Sequence, residues 1–127
     1  MFKITFFKDA NGVSEVQEYL RDLNEKKNKN KNARIHFQKI IAYMRMLEEK
    51  GVSMGTPYTK HLDGKIWELR PLDDRIMYAY VENDNYVILS CFKKKTRKTP
   101  KREIERAKRS LELYLEKRGE NDERNME

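Results

Sequence analysis

Lys60-His61-Leu62-Asp63-Gly64-Lys65-Ile66-Trp67-Glu68-Leu69-Arg70 is the stretch on which the fold turns. Asp63-Gly64 tolerates positive φ at two adjacent positions, which predicts a tight two-residue hairpin. Residues 58–62 form the incoming strand. Lys65 to Arg70 alternate, with Trp67 and Leu69 on one face and Glu68 and Arg70 on the other. Pro71-Leu72-Asp73-Asp74 turns the chain again, and Arg75 to Val81 reads as a strand apolar on both faces, hence central. Glu82-Asn83-Asp84-Asn85 is a further turn, and Tyr86 to Phe92 completes an antiparallel meander.

The flanks supply the helices. Residues 3–7 read as a first strand, and Asp9-Ala10-Asn11-Gly12 as a turn. Val13, Val16, Leu20 and Leu23 then recur at helical spacing, with Ser14 or Asn11 able to cap the start. Asn24 to Asn32 is rich in Lys and Asn and has nothing to bury, so it reads as a solvated connection. Phe37, Ile40, Ile41, Met44 and Leu47 mark a second helix, from Ala33 to Lys50, stopped by Gly51. His36 falls between the stripe positions and reads as a surface residue. After the meander, Thr99 suits an N-cap and Pro100 a first helical position. Ile104, Ala107, Leu111, Tyr114 and Leu115 stripe the last helix. The order β-α-α-β-β-β-β-α predicts an α+β domain over residues 1–118: two N-terminal helices on a mostly antiparallel sheet of four to five strands, with a C-terminal helix. Residues 119–127 are polar and are expected to form a frayed tail.

The 127 residues suit one domain with a modest core. No apolar run approaches the about 18 residues of a membrane span, and Met1 to Phe7 is too short and too soon charged for a signal peptide. The single Cys91 cannot pair internally. These features predict a reduced, cytoplasmic protein with no membrane partner. The net charge of +7 is local: residues 91–118 hold 12 Lys or Arg against 4 Glu, and the remainder holds 16 against 17 acids. Such a field attracts polyanions, nucleic acid first.

Five cations, Lys93, Lys94, Lys95, Arg97 and Lys98, crowd one connection between the last strand and the last helix. Arg70 and Arg75 flank one turn and must lie close together. If that turn meets the basic connection, the fold gathers guanidinium forks that bind phosphate bidentately. Fixed positive charge there would stabilise a pentavalent phosphorus transition state. A tyrosine, a carboxylate or a deprotonated lysine would be available to move protons. Charge alone favours plain nucleic-acid binding over catalysis, and a solvated basic face is the remaining reading. His36 and His61 lie far apart in sequence. No Walker loop, dinucleotide fingerprint or metal-ligand spacing is present, so no metal and no cofactor are expected.

Three blocks carry a family resemblance. Lys60 to Arg70 resembles the "K-x-L-x-G-hydrophobic-aromatic-E-L-R" segment of phage-derived HigB-like toxins, within the RelE superfamily. Arg75-Ile76-Met77-Tyr78 is similar to that family's "R-hydrophobic-x-Y" strand, and Phe92 to Pro100 to its "F-x-K-K-T-x-K-T-P" segment. Ile104 and Ala107 continue its "E-I-x-x-A" helix. The resemblance covers residues 58–118 and implies a RelE-like fold and the toxin of a type II toxin–antitoxin system. It implies a metal-independent endoribonuclease that inhibits translation by cutting messenger RNA in the ribosomal A site, the 2′-hydroxyl attacking the adjacent phosphate. A cognate antitoxin, typically a helix-turn-helix protein, is the implied partner.

By position, Arg70, Arg75, Lys94, Lys95 and Tyr78 match the catalytic or transition-state groups. Lys60, His61, Lys93, Arg97 and Lys98 match RNA-contacting ones. Glu68 either takes part or pairs with an arginine in the sheet. The Lys/Asn-rich helix connection departs from the family pattern. Without the resemblance, the same charge describes a non-catalytic module that binds RNA or an acidic protein.

Overall fold

The hairpin forms one residue later than the sequence suggests: Asp63 pairs with Ile66, and Gly64-Lys65 is the two-residue loop, with Gly64 at a φ of 55°. The structure, a computed structural model, describes residues 1–126 and the side chains of residues 1–119. Its elements are β1 (Lys3–Phe6), α1 (Glu15–Lys26), α2 (Lys31–Lys50), a 3-10 turn (Gly51–Met54), β2 (Thr59–Asp63), β3 (Ile66–Leu69), β4 (Asp74–Val81), β5 (Asn85–Lys93) and α3 (Lys101–Met126). The five strands form one sheet in the order β1-β5-β4-β3-β2. β2 to β5 are the antiparallel meander, and β1 adds to β5 in parallel. The expected tail falls on residues 119–127, whose side chains beyond Gly119 lie outside the described ones. Among the described residues no helix is long and apolar enough to cross a membrane.

Each helix begins and ends where its chemistry directs. The Ser14 hydroxyl caps α1 by accepting from the Gln17 amide, and the Asn30 side chain caps α2 by accepting from Ala33. Gly51 ends α2 with a φ of 58°, a left-handed conformation that costs glycine little. A side chain there would also strike the Tyr86 hydroxyl at 2.6 Å. α3 starts one residue later than the sequence suggests. The Pro100 carbonyl accepts from the Glu103 and Ile104 amides, and the Thr99 hydroxyl turns to the sheet instead of capping.

The sheet is covered on both faces. Val16, Leu23, Ile40, Met44 and Leu47 of the helix pair pack on Leu69, Ile76, Tyr78, Tyr86 and Ile88. Ala107 and Leu111 of α3 pack on Ile66, Met77, Ala79, Val87 and Leu89. This double covering explains why β4 is apolar on both faces from Ile76 to Val81.

One irregularity decides where the basic segment points. Met77 pairs with Ser90 but Tyr78 pairs with Ile88, so Leu89 is an extra residue in β5. An uninterrupted alternation from Ile88 would send Phe92 to the helix pair and Lys93 to α3. The bulge reverses both. Phe92 faces α3 beside its partner Arg75, and Lys93 faces the helix pair beside its partner Asp74.

Candidate functional site

At the end of the sheet where α3 begins, a cleft opens on the α3 face. Lys60 of β2, Glu68 of β3, Arg70, Arg75 of β4, and the segment Phe92, Lys94, Lys95, Thr96, Arg97, Lys98, Thr99 and Pro100 line it. Seven cationic side chains and one carboxylate therefore line one shallow, open cleft. Strand parity builds it: Lys60 pairs with Glu68, and both point to the face opposite Trp67 and Leu69.

Arg75 is the fixed point of the cleft. Its side chain is 7% exposed. Nε lies 3.3 Å from Glu68 Oε1, and Nη1 donates to the carbonyls of Leu72 and Asp74, each at 2.8 Å. Among the described residues Nη2 has no hydrogen-bond partner. Burial and the neighbouring Arg70 push the Arg75 guanidinium below its ordinary value, against the pull of Glu68. Glu68 is equally enclosed, and its carboxylate also accepts from the Thr99 hydroxyl at 2.9 Å. That bond ties the exit of the basic segment to β3. Arg70 adds a guanidinium whose Nε is buried with no protein partner. An unpaired buried donor costs about 1–3 kcal/mol. Lys94, Lys95, Arg97 and Lys98 are exposed at the rim, and Lys94 donates its backbone amide to the Asp73 carbonyl at 2.7 Å.

Other expected residues go elsewhere. Tyr78 points to the helix-pair core, fully buried, and its hydroxyl bonds to Thr59. Burial raises it far above the usual tyrosine range. It is a core residue and does not reach the cleft. His61 lies on the other side of β2, edge-on to Trp67, with Nε2 bonded to the Gly64 carbonyl at 2.7 Å. Lys93 faces away from the cleft as a result of the bulge. Cys91 is no nucleophile, because burial and the nearby Glu15 push its thiol up to about 12.

The basic helix is partly spoken for. Arg106 binds both Glu15 carboxylate oxygens, Glu103, and the Cys91 carbonyl, fastening α3 to α1 and β5. Lys108 pairs with Asp63 at 2.6 Å. Lys101, Arg102 and Arg109 of the same helix stay exposed, and the cations gathered around one space are those of the cleft.

Sequence reasoning missed a second polar cluster, behind the cleft. Asp74 is buried on the helix-pair face. Its Oδ1 accepts from the Tyr19 hydroxyl at 2.7 Å and from Lys93 Nζ at 2.8 Å, and Oδ2 lies 2.7 Å from His36 Nδ1. Despite burial, the bonds from Lys93, His36 and Tyr19 hold Asp74 below the usual carboxylate value. His36, read from sequence as a surface residue, is 8% exposed. It sits four residues before Ile40 on the inward face of α2, a spacing that marks it as a stripe position.

Residues 18–112 match the family described as phage derived protein Gp49-like (DUF891). A search of curated proteins finds no match to the chain. Among solved structures, the YoeB–YefM complex from Staphylococcus aureus is similar at a TM-score of 0.45 and 19% identity, covering 72% of this chain and 94% of that one. A YoeB dimer from the same organism gives 0.45 and 19%, covering 71% and 93%.

Proposed function

The chain belongs to the phage-derived Gp49-like family, and from that premise we propose that it is the toxin of a type II toxin–antitoxin system. It is a HigB-like endoribonuclease of the RelE superfamily, acting in the cytoplasm on messenger RNA held in the ribosomal A site. A cognate antitoxin of helix-turn-helix type holds it in check.

The observation that carries this reading is the cleft: seven cations around one carboxylate, with Arg75 locked and the Arg70 Nε buried and unpaired. RNA cleavage by the adjacent 2′-hydroxyl needs little covalent help from protein. It needs the phosphate held in line and the extra negative charge of the pentavalent state neutralised. Arg75, through its free Nη2, and Arg70 grip the scissile phosphate. Lys94 and Lys95 stand at the rim, where they neutralise the developing charge, one taking the proton of the attacking 2′-hydroxyl and the other giving a proton to the leaving 5′-oxygen as its bond to phosphorus breaks. Lys60, Arg97 and Lys98 hold the flanking phosphates. Glu68 is bound to Arg75 and Thr99, so its part is to aim the guanidinium. The donor set is cationic, which suits a metal-independent reaction.

Induced expression tests the proposal. The wild type should halt translation and leave ribosome-bound messages with 2′,3′-cyclic phosphate ends. Arg75→Ala and Arg70→Ala should restore translation at equal protein level. A folded wild type that leaves translation untouched would overturn the reading. Salt-sensitive RNA binding without cut messages would replace it with a non-catalytic binding module.

A further inference from the structure

Behind the cleft, Asp74 collects three side chains from three elements: Tyr19 from α1, His36 from α2 and Lys93 from β5. Asp73 stands at the edge of the group, its Oδ1 3.5 Å from Lys93 Nζ and 3.6 Å from His36 Nδ1. One ligand atom each from His36, Asp73 and Asp74 falls within 4.8 Å of the others, the spacing of a cation site. The Lys93 ammonium already occupies that role, at 2.8 Å from Asp74, 3.3 Å from His36 and stacked over the Tyr19 ring at 5.6 Å. The ammonium thus fills the place a cation would take beside Asp74.

What the cluster holds is a turn. Leu72 sits at a φ of 57°, a left-handed conformation that a bulky side chain resists. A turn strained in this way persists only when its surroundings hold it. The carbonyls of Leu72 and Asp74 are the two acceptors that aim Arg75 Nη1, and the Asp73 carbonyl receives the Lys94 amide. The same three-residue turn therefore carries the Asp74 carboxylate on one face of the sheet and the acceptors of the cleft on the other.

We propose that Asp74 is the positioning residue of the cleft. Its carboxylate, anchored by Tyr19, His36 and Lys93, fixes the Leu72–Asp74 turn and through it the Arg75 guanidinium. Lys93, 44% exposed on the face opposite the cleft, is the counter-ion of that anchor and makes no contact with RNA. The link to cleavage rests on the toxin reading, and the link to Arg75 does not.

The test separates the two. The Arg75 Nε–H resonance, read by NMR, reports the guanidinium directly. It should shift or broaden in Asp74→Asn and in Tyr19→Phe. It should stay in place in Ile40→Val, a core change in the same layer that lowers stability without touching the turn. If Asp74→Asn fails to fold, Tyr19→Phe, which removes one hydrogen bond, gives the same reading. The salt dependence of binding to a short single-stranded RNA assigns Lys93. Lys94→Gln should flatten the slope of log K against log salt by about 0.7, and Lys93→Gln should leave it unchanged. In a translating extract, Asp74→Asn should lower kcat by about tenfold or more at unchanged KM. An Arg75 resonance unmoved in Asp74→Asn while the melting temperature falls would make Asp74 merely structural and overturn the proposal. Equal slopes for Lys93→Gln and Lys94→Gln would overturn the part given to Lys93. A wild type that cuts nothing would remove the toxin reading, and the resonance would still decide the positioning.

Discussion

Asp74 and Arg75 are consecutive residues whose side chains leave the sheet on opposite faces. Asp74 enters the helix-pair side, bound to Tyr19, His36 and Lys93, and Arg75 enters the cleft, bound to Glu68. Strand alternation alone produces this division. It makes one short turn answerable to two polar networks, and each can be probed separately.

Glu68 tests the cleft side. It is the single carboxylate among seven cations, it is 3% exposed in its side chain, and it is bonded to both Arg75 and Thr99. Removing one member of a buried ion pair leaves the other charge uncompensated, at about 3–5 kcal/mol. Glu68→Ala should lose stability of that order in urea unfolding. A loss below about 1 kcal/mol, the range of exposed pairs, would show that the pair is solvated in solution.

Arg70→Lys asks whether the guanidinium fork matters or only its charge. The Arg70 Nε is buried and makes no hydrogen bond among the described residues. Lysine keeps the charge and loses the planar donors. Translation arrest should weaken by about tenfold or more, the worth of one bidentate contact, with folding stability unchanged or slightly raised. Full activity in Arg70→Lys would make Arg70 a source of field only.

Tyr78→Phe separates core from site. The Thr59 hydroxyl donates to the Glu68 carbonyl, so the Tyr78 hydroxyl donates to Thr59. Phenylalanine keeps the ring in the core and forfeits about 1 kcal/mol of hydrogen bonding. Toxicity should persist. Loss of toxicity at unchanged melting temperature would return Tyr78 to the reaction.

These residues also show how far the sequence could be read. The hairpin around Gly64, read one residue early at Asp63-Gly64, the alternation of Trp67 and Glu68, and the helix stripes are local patterns, and they point to the strands and helices directly. The meeting of Arg70 and Arg75 with Lys94 to Lys98 follows from the meander, because the turn after β3 and the end of β5 lie at one end of the sheet. Tyr78, His36 and Lys93 are different. The β4 strand is apolar on both faces, so parity does not reveal which face Tyr78 takes. His36 holds a stripe position, but a histidine there looks polar until Asp74 is seen to receive it. Lys93 is reversed by the extra residue at Leu89, and a bulge leaves no mark in a run of uniformly apolar residues.

Asp74 carries the last prediction, in acid. Bonds from Lys93, His36 and Tyr19 hold its carboxyl below the ordinary value of 3.8. An acid whose folded value is depressed contributes stability that is complete above its unfolded value and is lost as pH falls through the folded one. The contribution should therefore be whole at neutral pH, begin to fade near pH 4 and vanish below the depressed value. Protonation would also leave the Lys93 ammonium facing a neutral group in a partly closed site. Urea unfolding from pH 7 down to about pH 2 should show a fall in stability that is shallower in Asp74→Asn, with the two proteins converging at the acid end. The asparagine variant should be the less stable of the two at pH 7. Parallel curves for wild type and Asp74→Asn through that window would mean that Asp74 holds its partners no more tightly folded than unfolded, and the anchor behind Arg75 would have no strength to lend.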